Sequence, residues 1–193
     1  MLDVTLGPLE LAPLLVGALV TAGPVTLQLT EVEAYAGADD PAAHAYPGPR
    51  PRTRDLFGPP GTLYCYLSHG LHICGNVVCG PAGTGSAVLL RAGRVVAGID
   101  EARARRPGVA DVALARGPGN LGRALGWTLD DSGRRFGTDG LALHEGERLP
   151  LASGPRVGVS VAHGRQWRFW AAGDPTVSAY RRSPRTVPGR HEW

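Results

Sequence analysis

Hydrophobic and polar positions change period several times along the chain, and each change marks an expected element. Leu11, Leu14, Leu15, Ala18 and Leu19 recur at helical spacing up to Gly23-Pro24, which predicts a packed helix over residues 9–21. From Val25 the period becomes two. Val25, Leu27 and Leu29 share one face of a strand, and an unbroken strand puts Glu31, Glu33 and Tyr35 on that same inward face. Gly37, the Asp39-Asp40-Pro41 corner and Ala42-Ala43 predict a loop and a short helical turn carrying His44. Turn-rich stretches at 47–51 and 58–61 bracket a surface loop that presents Arg50, Arg52 and Arg54.

Alternation returns over 62–67, where Thr62, Tyr64 and Tyr66 face one way and Leu63, Cys65 and Leu67 the other, so two aromatic rings line one strand face. Further extended runs are expected at 71–79, interrupted by Gly75, and at 87–91, with 157–161 and 167–170 as a closing pair. Short helices are expected at 99–106 and 109–116, parted by Pro107-Gly108, and a helical turn at 121–125. These short elements, with no internal repeat, predict an α+β fold. It is a single compact domain over residues 1–193, with a curved mixed or antiparallel β-sheet core surrounded by short helices.

Composition supports one substantial core: 193 residues are 43% hydrophobic, and 28 Gly with 17 Pro favour turns over long helices. All 20 basic residues are arginine against 17 acidic ones, and a net charge of +3 points only weakly to a polyanionic partner. The grouping of those arginines says more. Arg50, Arg52 and Arg54 form one set and Arg103, Arg105 and Arg106 another, each able to reach several phosphates. Three cysteines, an odd number, and no cationic opening followed by an apolar signal core lead us to expect a reduced, cytoplasmic protein. The apolar stretch at 11–20 is broken by Pro13 and Gly17 and is too short to span a bilayer, so no membrane segment is expected.

The candidate chemistry gathers around the second strand. Glu33 ends an apolar run, where partial desolvation favours a carboxylate that orients and deprotonates water; a solvent-facing or salt-bridged strand-end Glu is the plain alternative. Glu31 shares its nominal face, and parity does not choose between them. Arg91 ends the 88–90 run and can reach across the sheet to Glu33, as catalytic support or as a satisfied salt bridge. Asn76 can check a base edge or tie down a turn. Tyr35, His44, Tyr64 and Tyr66 would together make an aromatic sandwich for a flat heterocycle, though each alone suits core packing. His69 and Leu71 flank Gly70 at a tip between two extended runs, where a protruding side chain can wedge into a duplex.

Other chemistries lack their signatures. His69 with His72, and Cys74 with Cys79, do not have paired zinc-site spacings, so no metal is expected. The glycines at 80–85 are followed by no Gly-Lys-Ser/Thr ending, and no Gly-x-Ser-x-Gly elbow is present. No cofactor is expected.

Several ordered blocks resemble the alkyladenine (3-methyladenine/methylpurine) DNA glycosylase family in its bacterial form. They are Glu31-Val32-Glu33-Ala34-Tyr35, Asp40-Pro41-Ala42-Ala43-His44, Pro60-Gly61-Thr62-Leu63-Tyr64-Cys65-Tyr66 and Ala87-Val88-Leu89-Leu90-Arg91. The likeness continues through Gly117-Pro118-Gly119-Asn120-Leu121 and Gly154-Pro155-Arg156-Val157-Gly158 to the 167–178 region, nearly the whole chain.

The resemblance implies a monofunctional base-excision enzyme acting on double-stranded DNA that contains damaged purines, as a monomer without cofactor. It makes Glu33 the general base and Arg91 the arginine that helps hold the attacking water. Tyr35, His44 and Tyr66 correspond to residues that stack around a flipped base. Asn76 lies at the base edge, where it helps exclude guanine; Leu89 is an apolar neighbour and Tyr64 a supporting residue. Arg50, Arg52 and Arg54 are expected on the DNA backbone, which implies salt-sensitive binding. His69 is a departure, because it stands where familiar members insert a tyrosine into the minor groove; an imidazole fills less of the vacated stack. Rival readings are a catalytically weak lesion-binding protein of the same fold, a general single-stranded nucleic-acid binder, and a structural protein with no nucleic-acid role.

Overall fold

Eight strands, three α-helices and several 3-10 turns make up residues 2–186, the part of the chain that the computed structural model describes. The ends of the expected 1–193 domain therefore lie outside the described residues. In chain order the elements are α1 (Pro8–Leu15), β1 (Leu19–Ala22), β2 (Val25–Ala36), β3 (Leu63–Ser68), β4 (His72–Val78) and β5 (Ser86–Ala97). Then follow α2 (Ile99–Arg105), α3 (Pro118–Leu125), β6 (Leu141–His144), β7 (Leu151–Gly154) and β8 (Arg168–Ala171). The strands join in one curled sheet of order β3-β4-β5-β2-β1-β6, with β8 pairing both β2 and β7. Every strand pairing among these residues is antiparallel, which narrows the mixed-or-antiparallel expectation.

The apolar run after α1 is not one helix. Its helical part ends at Leu15, and Gly17 (φ 96°) turns the chain so tightly that a Cβ there would lie 2.0 Å from the Glu147 carbonyl oxygen. Leu19 to Ala22 then pairs with Val25 to Gln28, so Gly23-Pro24 is a hairpin turn rather than a helix stop. Three other expectations shift. The Arg50 to Arg54 segment lies mostly in a 3-10 helix, Pro51–Phe57; the second expected helix shrinks to the turn Asp111–Ala113; and residues 157–161 form no strand. β8 pairs instead with β7 and β2, and the Val157 N–H donates to a side chain.

The β2–β5 ladder carries the feature that creates the site. Leu29 pairs with Gly93, Glu31 with Ala92 and Val32 with Leu90, so Thr30 and Arg91 are each left without an opposite residue. Such bulges reverse the parity of a strand. Before the bulge Val25, Leu27 and Leu29 enter the main core; after it Val32 and Ala34 do. Glu31, Glu33 and Tyr35 thus point to the opposite face from Leu29, which corrects the unbroken-strand expectation. The expected alternation on β3 holds: Leu63 and Cys65 join the main core, while Tyr64 and Tyr66 belong to a second, smaller cluster with Ala45, Leu56, Val78 and Ala87. Helix α3 closes the core side of the sheet, lying so near β4 that a Cβ on Gly122 would sit 2.1 Å from the Ile73 carbonyl oxygen. No helix among the described residues is long and apolar enough to cross a membrane.

Candidate active site

On the face opposite the main core, β2, β5 and β8 bring four charged side chains together. Glu31 and Glu33 are both fully buried and Arg91 is nearly so. Glu31 accepts from Arg91 Nε at 2.9 Å, from Arg168 Nε at 2.6 Å, and from the Ser178 amide and hydroxyl at 2.7 and 3.0 Å. Burial works against its charge, yet the two guanidiniums and the Ser178 donors outweigh burial and hold its carboxyl below the ordinary range. The same balance keeps Arg91 charged: burial opposes the cation, and Glu33 and Glu31 more than offset it.

Glu33 is less crowded. Its Oε1 accepts from the Val157 amide at 2.7 Å and faces Arg91 Nη1 at 3.4 Å, while Oε2 accepts from the Tyr35 hydroxyl at 2.9 Å. A carboxylate has about four acceptor positions, so Oε2 retains capacity for a further donor such as water. Burial and the adjacent Glu33 charge push the Tyr35 phenol well up, so it remains a protonated donor. Their partners distinguish the two acids that parity left equivalent: Glu31 accepts four hydrogen bonds and Glu33 two.

Tyr35 also lines a cavity of about 60 Å³, together with His44, Tyr64, Tyr66, Asn76 and the small residues Ala42, Ala43, Ala45 and Ala87. Tyr64 and Tyr66 stack at 5.8 Å between centroids, and His44 stands edge-on to Tyr66 at 4.5 Å. A planar ring held between two others needs about 7 Å, two contact distances of roughly 3.5 Å, so His44 must swing aside to admit one. His44 follows a turn and keeps part of its surface open. Its Nδ1 lies 3.3 Å from the Tyr64 hydroxyl; burial and then the charge of Arg52 lower its pKa, which favours the neutral imidazole. Burial pushes Tyr64 up to about 12.

Asn76 donates Nδ2 to the Tyr64 carbonyl at 3.2 Å, which fixes its amide plane at the cavity wall. Leu89 is buried and pairs with both Glu33 and Asn76 in the sheet, but it does not line the cavity.

A groove of about 560 Å³ runs from this cavity, past His44, Arg52 and Arg54, to His69. His69 (φ 50°) and Gly70 (φ 70°) form the tip of the β3–β4 hairpin, and both His69 and Leu71 are exposed there. Arg50, Arg52 and Arg54 are exposed as well, and among the described residues only Arg54 of the three has an acidic neighbour, Asp55 at 3.4 Å. The second arginine set has partners within the protein. Arg103 pairs with Asp100 and Asp111, Arg105 with Glu101, and Arg106 donates to the Ala113 and Leu114 carbonyls.

The sequence had given no role to four residues that shape this site: Asp40, Arg156, Arg168 and Ser178. All four lie within the blocks that carry the family resemblance, which was the one signal available for them.

A buried, part-satisfied carboxylate beside an aromatic cavity, opening to a basic groove, can orient water against a flat heterocycle. The chain is similar to known proteins along most of its length. The sequence model of the family described as methylpurine-DNA glycosylase matches residues 3–175. Proteins named "Putative 3-methyladenine DNA glycosylase" are similar over nearly full length. One from Cutibacterium acnes is 51% identical, covering 94% of this chain and 100% of its own. One from Frankia casuarinae is 52% identical over 92% and 91%, and one from Mycobacterium leprae 51% over 94% and 89%. With the family model spanning most of the chain and half of all positions identical in these relatives, the chain belongs to the methylpurine-DNA glycosylase family.

Proposed function

We propose that this protein is a monofunctional glycosylase that hydrolyses the N-glycosidic bond of damaged purines in double-stranded DNA. The observation that carries the reading is Glu33: fully buried, accepting from two donors and paired with Arg91, with acceptor capacity left and joined to the aromatic cavity through Tyr35. The candidate substrates are 3-methyladenine, 7-methylguanine, hypoxanthine and ethenoadenine.

A damaged nucleotide costs less to unstack than a normal one, and leaves the duplex for the cavity. His69 enters the gap, and Arg50, Arg52 and Arg54 hold the backbone. The base lies among Tyr35, His44 and Tyr66 once His44 has moved off Tyr66; Tyr64 supports His44, and Asn76 excludes the exocyclic amine of guanine. A water between Glu33 and Arg91 attacks C1′ as the bond to the base nitrogen breaks and its electron pair leaves with the base. Glu33 takes the proton of that water. An alkylated purine is already cationic while attached and departs as the neutral base, whereas a neutral lesion takes up a proton as it departs. Products are a free base and an abasic site, with no amine nucleophile and no cofactor. A monomer acting on DNA in the bacterial cytoplasm completes the reading.

The test is product identification on a panel of duplexes carrying these lesions. Release of the free base with an intact abasic strand supports the reading. Binding without release supports a lesion-binding protein instead, and preference for undamaged single strands counts against base flipping.

A further inference from the structure

The two strongest donors to Glu33, the Tyr35 hydroxyl and the Val157 amide, come from segments far apart in sequence, and one buried cation touches both. Arg156 precedes Val157 directly. Its guanidinium lies over the Tyr35 ring at 4.5 Å and donates to the carbonyl of Ala34, between Glu33 and Tyr35, at 3.0 Å. That cation is oriented by Asp40, which accepts from Nη2 at 2.9 Å and also from Nη1; both side chains have no solvent exposure.

A buried ion pair is weak evidence for stability, since an apolar pair of similar volume often serves as well. A planar, fixed guanidinium does what an apolar residue does not. It fastens the β2 backbone, the Tyr35 ring and the residue that donates to Glu33 in one rigid arrangement.

We propose that the Asp40–Arg156 pair is a positioning device for the general base, holding the two hydrogen-bond donors of Glu33 in place. The inference rests on the reading of Glu33 as that base. Donors to an ionised carboxylate favour ionisation, so loosening them should move the acid limb of the rate profile upward.

Other groups facing Glu33 do not mimic this effect. Arg91 from β5 and Arg156 stay charged, while Tyr35 and Tyr66 from β3 are pushed up by burial and stay protonated. Glu31, reached through Arg91 and itself paired to Arg168, is held down. His44 across the cavity also titrates on the acid side, and its ring protons report it separately by NMR.

The experiment compares single-turnover base release against pH for wild type, the charge-free double variant Asp40→Asn with Arg156→Gln, and Arg156→Lys. The last keeps a cation for Asp40 but loses the planar face over Tyr35, and so remains informative if the double variant is unfolded. Wild-type release abolished by Glu33→Gln establishes the starting point; without it the proposed function falls, and this inference with it. The expected result is a loss of rate of about tenfold or more and an acid limb moved upward by roughly half to one pH unit, with lesion-duplex affinity retained. The His44 midpoint should be unchanged. An acid limb that superimposes on wild type, or one that moves only with the His44 signal, would overturn the proposal.

Discussion

Glu31 and Glu33, two residues apart on β2 and both fully buried, are held by different nitrogens of one guanidinium: Arg91 Nε at 2.9 Å from the first and Nη1 at 3.4 Å from the second. Removing that cation leaves Arg168 to serve Glu31 and, among the described residues, no ion-paired guanidinium on Glu33. Breaking a buried pair by deleting one partner typically costs about 3–5 kcal/mol, so Arg91→Ala should lower unfolding free energy in urea by that order. Arg91→Lys keeps the charge but not the two-way fork, and should fall between it and wild type. A loss below about 1 kcal/mol in the alanine variant would show that water reaches the pair and screens it.

Acid should weaken the fold through Glu31. Its carboxyl is held below the ordinary value, so the unfolded chain binds this proton more readily than the folded one. The stability it contributes is present in full above the unfolded carboxylate pKa of about 4.3, and is lost as pH falls through the lower folded value. Urea midpoints measured from pH 6 downward should decline less steeply in Glu31→Gln than in wild type. Parallel curves would mean that other carboxylates govern the acid limb of stability.

His44 should answer to Arg52. Burial and then the Arg52 charge lower its pKa, so Arg52→Ala removes the second cause and shifts the His44 titration upward, visible in its ring-proton NMR signals. An unchanged midpoint would place the Arg52 guanidinium in solvent, away from the cavity mouth.

At the hairpin tip, Leu71 is 78% exposed next to His69, whose Nδ1 lies 3.0 Å from the Ser68 hydroxyl. His69→Ala should weaken capture of a lesion in duplex DNA severalfold more than it slows release from the same lesion in a single strand, since only the duplex has a stack to fill. Equal relative losses on the two substrates would reject the wedge role.

Local pattern was enough for much of this architecture. The alternation from Leu63 to Tyr66 gave the aromatic face directly, because both faces of β3 follow period two without interruption. Parity on β2 failed at Thr30, whose side chain bonds Thr176 at 2.7 Å. That partner comes from 146 positions away, so nothing near Thr30 announces the bulge. Arg156 lies just after β7, and nothing beside it announces its burial, because its partner Asp40 comes 116 residues earlier. The partners of the Arg103 to Arg106 group were partly legible nearby. Asp100 and Glu101 precede Arg103 and Arg105 at helical spacing, which marks those arginines as partners of their own helix.

The central claim is that the carboxylate at position 33 removes a proton from the attacking water. Single-turnover release from a lesion duplex, measured for wild type and Glu33→Gln with duplex affinity determined in parallel, tests it most directly. A loss of about 10²-fold or more in rate with affinity kept within a few-fold is predicted, because general bases contribute rates of that order. Equal release by the two proteins would contradict it.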